Sequence, residues 1–330
     1  MEKILSLSSV RRVCFISIAL LLSTLCSCHE RELCYDHSHV SPVNVSFDWS
    51  EAVDATPGTM VVWFFPVDGS QGRRYELLDL SKYYPEYEGR GGSVFDTQIM
   101  VAPGEYYVLC HNGSTENNIE SGNTFDNYCL STYDDNLLSP LNRTATAPRP
   151  DVSEQQPVRM PANELWAHAL ETTVRVEQSA TTPVEVRFTP ARSHVTCHIK
   201  ISDVKNLSPT LDISAIITGV AESYSPSLGL CGGSEVTVPF KVSHCGSDCL
   251  TATVIIFGDN APHDVCHWLR LYTSYNYYYD FNITDQIHAA AGRKDIYINL
   301  SGLNLHTPEG GGLQPGVGGW KDSEKQDIIM

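Results

Sequence analysis

Apolar and polar residues alternate along most of the chain, and this alternation predicts β-strands. Between Val43 and Trp49 every second residue is apolar, and Thr59 to Phe65 is a short apolar run bounded by turn residues. A period of two is typical of a half-buried strand, and a short apolar run is typical of a buried one. Further strands are predicted at 93–100, 105–110 and 124–133. The first half is therefore predicted to be an all-β sandwich.

The second half shows the same alternation more strongly. Strands are predicted at 174–176, 184–188, 195–201, 211–220, 234–242, 250–257, 266–273, 277–283 and 295–300. Residues 131–161 between the two halves contain five prolines, which mark a domain boundary. The predicted organisation is a β-sandwich at 41–135, a linker at 136–170 whose residues 161–170 form a short helix, a second sandwich at 171–306 and a glycine-rich tail at 307–330. Asp285 to Ala291 is predicted to form a helical turn.

The first 27 residues are predicted to be a signal peptide of the lipoprotein type. Three cations precede an apolar run from Val13 to Leu25, which is shorter than the roughly 20 residues that span a bilayer. Leu25 and the small residue Ser27 precede Cys28, as in bacterial lipoproteins whose cysteine carries lipid. We therefore predict lipidation of Cys28 and a polar tether at 28–40; the alternative is an ordinary signal peptide. No second apolar stretch approaches spanning length, so this lipid is the predicted membrane attachment.

The charge of the chain limits the classes of partner. There are 39 acidic and 22 basic residues, and the formal net charge is −17. This balance argues against nucleic acid or anionic lipid as a partner.

Eight cysteines follow Cys28, and an exported chain can form disulfides with them. Spacing does not determine their pairing. Cys110 and Cys129 are one candidate pair, Cys245 and Cys249 are the most local pair, and buried thiols are the alternative.

No catalytic motif is recognisable, so the chain is predicted to be neither an enzyme nor a cofactor protein. His194 and His198 lie on a predicted strand, where four residues span about 13 Å, so surface histidines are favoured over a shared metal ion. His263 to His267 includes Cys266 and could belong to a Cys/His zinc site. Export to an oxidising compartment favours a disulfide at Cys266 over a zinc site, so no metal site is predicted.

Tyrosines crowd one predicted hairpin. Tyr275, Tyr277 and Tyr279 follow one another at spacings of two. Exposed tyrosines form platforms for sugars, because the ring face meets apolar C–H groups while the hydroxyl forms hydrogen bonds. The alternative, that these rings cover a sandwich core, is favoured.

Several segments resemble Bacteroides-type lipoproteins of a domain family of unknown function, which itself is similar to fimbrillin and to lipid-anchored fimbrial accessory proteins. The resembling segments are 28–37, 45–49, 103–112, 204–207, 281–288 and the tail around Gly319 and Trp320. The resemblance implies two transthyretin-like (Greek-key) β-sandwiches in tandem and an outer-membrane lipoprotein at the cell surface. It supplies no catalytic residues.

The resemblance and the strand pattern together predict a structural or adhesion protein, either fimbrial anchor-like or a minor fimbrial subunit. Fimbrial subunits would bind by strand addition, with the strand after Val43 and residues 327–330 as candidate strands. The alternative is a glycan-binding surface lipoprotein that uses the tyrosine platform. The acidic residues after Cys28 are interrupted by Arg31, so the surface and periplasmic orientations both stay open.

Overall fold

β-strands make up nearly all the regular structure of the chain. The computed structural model describes residues 40–78, 98–113, 115–136, 148–178, 182–259, 265–307 and 321–322. Within these ranges the chain forms strands β1 to β20 and one short α-helix, α1. The prediction of an all-β fold is therefore confirmed.

The strands of the first part of the chain are short. They are β1 (Ser41–Phe47), β2 (Thr59–Pro66), β3 (Arg73–Leu78), β4 (Gln98–Val101), β5 (Gly104–Asn112), β6 (Asn118–Ser121), β7 (Cys129–Thr132), β8 (Trp166–Ala169), β9 (Val174–Val176) and β10 (Val184–Phe188).

The later strands include the two longest. They are β11 (Ala191–Arg192), β12 (Val195–Ser202), β13 (Ile213–Ser225), β14 (Leu230–Lys241), β15 (Ser243–His244), β16 (Leu250–Ile256), β17 (Trp268–Thr273), β18 (Tyr277–Asn282), β19 (Asp295–Ser301) and β20 (Lys321–Asp322). Helix α1 (Thr284–His288) lies between β18 and β19 and overlaps the predicted helical turn at 285–291.

These strands form four sheets. The sheet orders are β10-β1-β4, β11-β8-β5-β2-β3 with β9 also on β5, β15-β16-β12-β19, and β20-β18-β17-β13-β7-β6 with β14 also on β13. Two large apolar clusters lie between them. One contains Val43, Phe64 and Phe188, and the other contains Ile199, Ile217 and Ile298.

The strand pairing crosses the predicted domain boundaries. β10 runs parallel to β1, with Val184 opposite Val43, so residues predicted to belong to the second sandwich complete a sheet of the first. In the other direction, β7 pairs with β13 through Leu130 and Tyr224. A period of two identifies a strand but not its partner, which explains the difference. The division into two transthyretin-like sandwiches remains a prediction.

The predicted linker differs from expectation in two ways. Residues 166–169 form β8 instead of a helix, because this segment pairs with both β5 and β11. The segment before β8 is held by backbone hydrogen bonds. Thr237 donates to the Pro157 carbonyl at 2.9 Å, and Ala162 donates to the Ile255 carbonyl at 3.0 Å. Residues 157–162 are therefore tied to the sheets of the second half.

The cysteine prediction is correct for one pair and wrong for the other. Cys245 and Cys249 form a disulfide. Cys110 and Cys129 are free thiols, because they belong to strands of different sheets, β5 and β7. Cys110 is fully buried, and burial raises the pKa of its thiol, so it behaves as a small apolar residue. Cys28, the predicted lipidation site, lies outside the described residues.

Candidate partner-binding edge and buried polar network

The tyrosine-rich hairpin β17–β18 lies near one end of the largest sheet. Tyr272 is opposite Tyr278 in the antiparallel register. The turn passes through Asn276, whose φ of 62° lies in the left-handed region that asparagine tolerates better than most residues. The hairpin therefore presents alternate tyrosines to opposite faces of the sheet.

One face of the hairpin is closed by His306. The imidazole of His306 stacks on Tyr277, with the ring centroids 4.4 Å apart and the planes 5° apart. The backbone N–H of His306 donates a 2.8 Å hydrogen bond to the Tyr279 hydroxyl. Tyr279 is only 2% exposed, and burial raises the pKa of its phenol. Tyr277 and Tyr279 thus fix the segment that follows β19.

The opposite face carries an ion pair. Arg270 donates two hydrogen bonds of 2.5 Å to the carboxylate of Asp280. The same guanidinium lies 4.1 Å from the ring centroid of Tyr278. Tyr272 is buried and donates a 2.6 Å hydrogen bond to the Pro148 carbonyl. These contacts stiffen β17 and β18 along their full length.

The predicted sugar platform is not present as a shared surface. Tyr279 is buried and Tyr277 is stacked on His306, whereas Tyr275 is 37% exposed in the turn. The alternation of the sequence indicates that Tyr277 and Tyr279 share a face. It does not indicate that this face packs against the residues around His306.

Replacing Tyr279 with phenylalanine is expected to lower the free energy of unfolding by about 1–2 kcal/mol. The substitution leaves the part-buried N–H of His306 without its acceptor, and loss of a hydrogen bond that leaves such a donor unsatisfied costs about this much. The matched control is Tyr275→Phe, which removes a hydroxyl in the exposed turn and is expected to change stability by less than about 0.5 kcal/mol. Urea unfolding of both variants measures the difference; equal effects would contradict a structural role for Tyr279.

The outer edge of β18 is occupied by the chain's own tail. Lys321 and Asp322, which form β20, pair in parallel with Tyr277 and Tyr278. The predicted donor segment, residues 327–330, lies outside the described residues. The other predicted candidate, the strand after Val43, is wrong as a sheet edge, because among the described residues β1 lies between β10, which pairs with residues 43–47, and β4, which pairs with residues 41–44. Among the residues that the structure describes, β18 is therefore an edge strand that the tail covers at Tyr277 and Tyr278.

A second feature is a buried polar network around Glu120 of β6. Its carboxylate accepts hydrogen bonds from Trp63 Nε1 at 2.9 Å, from the Tyr128 hydroxyl at 3.0 Å and from Arg74 Nε at 3.0 Å. The Tyr128 hydroxyl also lies 2.7 Å from His111 Nε2. Because Trp63, Arg74 and His111 belong to one sheet and Glu120 to another, the network joins the two sheets.

The protonation of this network follows from its burial and charges. Burial lowers the pKa of His111. Burial alone would raise the pKa of Glu120, but His111, Arg74 and the hydrogen bonds from Trp63 and Tyr128 together hold it below its usual range. Glu120 is thus an anion at neutral pH. Beside it lies a cavity of about 150 Å³ with a polar lining, which has room for a few water molecules.

The histidines on the predicted strand 195–201 have different environments. His194 is 3% exposed, and its ring contacts the backbone of Leu165, so the prediction of a surface histidine is wrong there. His198 is partly exposed, and its ring stacks on Tyr297. The structure does not bring these two side chains together as a binding site. Among the described residues, no helix has the length and hydropathy needed to cross a membrane.

A family model for a domain of unknown function, DUF5119, matches residues 27–241. The chain belongs to this family. The match begins next to the predicted lipidation site and ends at the last residue of β14. No curated protein sequence is similar to the chain.

Solved structures of proteins from Bacteroides and Porphyromonas match the chain. A candidate adhesin from Bacteroides ovatus has a TM-score of 0.59 at 17% identity, and the similarity covers 86% of this chain and 98% of that one. A second candidate adhesin from Bacteroides ovatus has a TM-score of 0.48 at 12% identity, covering 79% and 88%. The fimbrial anchor protein Mfa2 from Porphyromonas gingivalis has a TM-score of 0.47 at 11% identity, covering 79% and 90%. The first similarity shows a shared fold, and the two weaker ones carry no argument.

Proposed function

We propose that this DUF5119 protein is a non-enzymatic adhesion component of the outer-membrane surface, anchored by lipid on Cys28 and acting as a fimbrial anchor-like protein or minor subunit. A strand of a fimbrial subunit is proposed to pair with β18 after displacing β20. The observation that carries the proposal is the parallel pairing of Lys321 and Asp322 with Tyr277 and Tyr278 at the end of the sheet.

The contacts of the hairpin support this role. β18 is rigidly held on its inner side by β17, by the Arg270–Asp280 pair and by the stack of Tyr277 on His306. An edge strand presents a row of backbone donors and acceptors to any strand that reaches it. Within the described part of the chain the tail pairs with two residues of this row, and an incoming strand that pairs with more of β18 gains more hydrogen bonds than that pairing loses.

The similarity of the fold to a candidate adhesin supports the same class of function. The formal net charge of −17 disfavours nucleic acid as a partner, which leaves proteins and carbohydrates. The glycan-binding alternative has less support from the structure than from the sequence, because Tyr277 and Tyr279 both contact His306.

The test is to lock the tail onto β18. Tyr277 and Lys321 are partners in the register, so a Tyr277→Cys/Lys321→Cys double variant can form a disulfide that prevents displacement. Cells producing the tagged full-length chain are sheared, and filament and membrane fractions are probed for the chain and for co-retained filament subunits. The locked variant is expected to retain at least ten-fold less filament protein than the wild type, and a reductant is expected to restore it.

Three controls separate the parts of the proposal. The Lys321→Cys single variant should behave as the wild type, because it cannot form the lock and keeps the stack of Tyr277 on His306. Deletion of residues 321–330 should preserve or increase retention, since it opens the edge. Cys28→Ser should release the chain and its filament protein from the membrane fraction. Unchanged retention by the oxidised double variant would contradict strand exchange at β18, and a membrane pool without filament protein would contradict the fimbrial role.

A further inference from the structure

Three potential metal ligands meet near the start of β17. They are Asp259 just after β16, His267 just before β17 and His288 at the end of α1. His267 Nε2 lies 3.3 Å from Asp259 Oδ1, and His288 Nε2 lies 3.9 Å from Asp259 Oδ2. One ligand atom from each residue lies within 4.8 Å of those of the other two.

The orientation of His267 is set by its second ring nitrogen. Nδ1 lies 3.1 Å from the Thr218 carbonyl, which can only accept, so Nδ1 carries the proton. Nε2 then presents a lone pair towards Asp259 and His288. The His267 side chain is completely buried, and its Nε2 forms no hydrogen bond within the described part of the chain. A buried, unbonded imidazole nitrogen beside a carboxylate is the arrangement in which histidine binds a metal ion.

The backbone around Thr218 is shaped to hold this ring. The β13–β14 register shifts between Ile217 and Val220, so Thr218 and Gly219 form an irregularity that aims the Thr218 carbonyl at His267. Gly219 has a φ of 78°, and a Cβ there would lie 2.8 Å from Val265 Cγ1 and 3.1 Å from His267 Nδ1. The Thr218 hydroxyl also accepts a 3.1 Å hydrogen bond from the backbone N–H of Trp268. Glycine at 219 therefore allows the backbone to approach the histidine.

We propose that Asp259, His267 and His288 bind one Zn²⁺ ion. Two imidazole nitrogens and a carboxylate oxygen are ligands that zinc accepts. Bonds of about 2.0–2.1 Å in tetrahedral geometry place ligand atoms roughly 3.3 Å apart, which is the separation of His267 Nε2 and Asp259 Oδ1. The side chain of His288 is partly exposed, so a small movement brings its Nε2 to bonding distance from the ion. The fourth position is left for a water molecule.

The bound ion acts as a structural staple. It joins Asp259 just after β16, His267 just before β17 and His288 at the end of α1. Helix α1 has only five residues, which is too short to be stable without tertiary contacts. Zinc binding would therefore fix α1 and Asp259 to His267, whose ring contacts Thr218 of β13. Because metal binding stabilises only the folded state, the ion raises the unfolding temperature.

The test uses the full-length chain with a tag that contains no histidine, extracted in detergent. Elemental analysis after dialysis against a trace of zinc is expected to give about one Zn²⁺ per chain. After removal of the metal by a chelator, Zn²⁺ but not Mg²⁺ is expected to raise the unfolding temperature. Co²⁺ in place of zinc is expected to give visible absorption typical of a low-symmetry four-coordinate site.

The variants are chosen so that the fold survives. His288→Gln changes the most exposed ligand and is expected to weaken Zn²⁺ affinity by at least ten-fold, as is Asp259→Asn. The matched control is His198→Gln, which changes a partly exposed histidine on β12 and is expected to leave affinity unchanged. Far-UV circular dichroism confirms that each variant is folded. A wild-type chain without stoichiometric zinc, or a His288→Gln variant with wild-type affinity, overturns the proposal.

Discussion

Replacing Glu120 with leucine is expected to lower the free energy of unfolding by about 3 kcal/mol. The carboxylate is the shared acceptor for Trp63, Tyr128 and Arg74, and leucine leaves all three donors without it. Removing one partner of a buried charged network costs about 3–5 kcal/mol. The side chain of Glu120 is 25% exposed, which puts the expected loss at the lower end of this range.

The matched control for this prediction is Glu76→Leu. Glu76 pairs with the same arginine at 2.9 Å, but its side chain is 40% exposed. An exposed ion pair contributes at most about 1 kcal/mol, so this variant is expected to be nearly as stable as the wild type. Urea unfolding at pH 7 measures both variants. If the two substitutions cost the same, the network does not join β6 to the neighbouring sheet as its geometry indicates.

Acidification from pH 7 to pH 5 is expected to destabilise the protein before its carboxylates titrate. His111 and His194 are both buried, and burial lowers the pKa of each below the ordinary value of 6.5. The unfolded chain therefore binds protons that the folded chain does not, and stability falls as the pH drops below about 6.5. Each histidine that stays neutral contributes a loss of about 1.4 kcal/mol per pH unit.

Urea unfolding at several pH values, with a chelator present to keep metal ions out, measures this slope. In the His194→Gln variant, the change of the free energy of unfolding per pH unit is expected to be smaller by the contribution of one histidine. This holds whatever the stability of the variant at pH 7. The pKa of Glu120 is also lowered, so its contribution to stability is fully present above the unfolded pKa and is lost at lower pH than the histidine contribution. Stability that is flat between pH 7 and pH 5 would contradict the prediction.

The network and the edge have separate roles in the proposed function. The Glu120 network holds β6 and β7 to the neighbouring sheet, and β18 with its tail lies at the opposite end of the same strand order. Loss of Glu120 is therefore expected to reduce stability without changing which strand binds at β18. The assay for filament retention and the unfolding assay can thus be read independently.

The local pattern of the chain predicted the all-β class and most of the strands, but it missed β3 (Arg73–Leu78) and β6 (Asn118–Ser121). The alternation from Val43 to Trp49 and the apolar run at Thr59 to Phe65 became β1 and β2, because a period of two depends only on the residues of that segment. The same reasoning predicted the helical turn that became α1. It failed at Trp166–Ala169, where pairing on both sides produces β8 in a segment that resembles a helix.

The candidate sites were predicted only in part. His267 stood out in the sequence beside Cys266, and His288 lay in the predicted helical turn, but nothing local connected either of them with Asp259. The tyrosines of the hairpin were visible, yet their alternation could not indicate which face is covered. Their relation to His306 depends on a contact across 27 residues for Tyr279.

The sequence by itself determined the all-β class and the acidic charge, because the class depends on residues near one another and the charge depends on composition. The tertiary structure alone decided that β10 completes the sheet of β1, that the tail covers β18 and that Asp259 meets two histidines. The first two pairings join residues far apart in the chain, and the third joins residues of different elements. They are decided by which exposed edges and apolar faces can be buried together, a property of the whole fold and not of any segment.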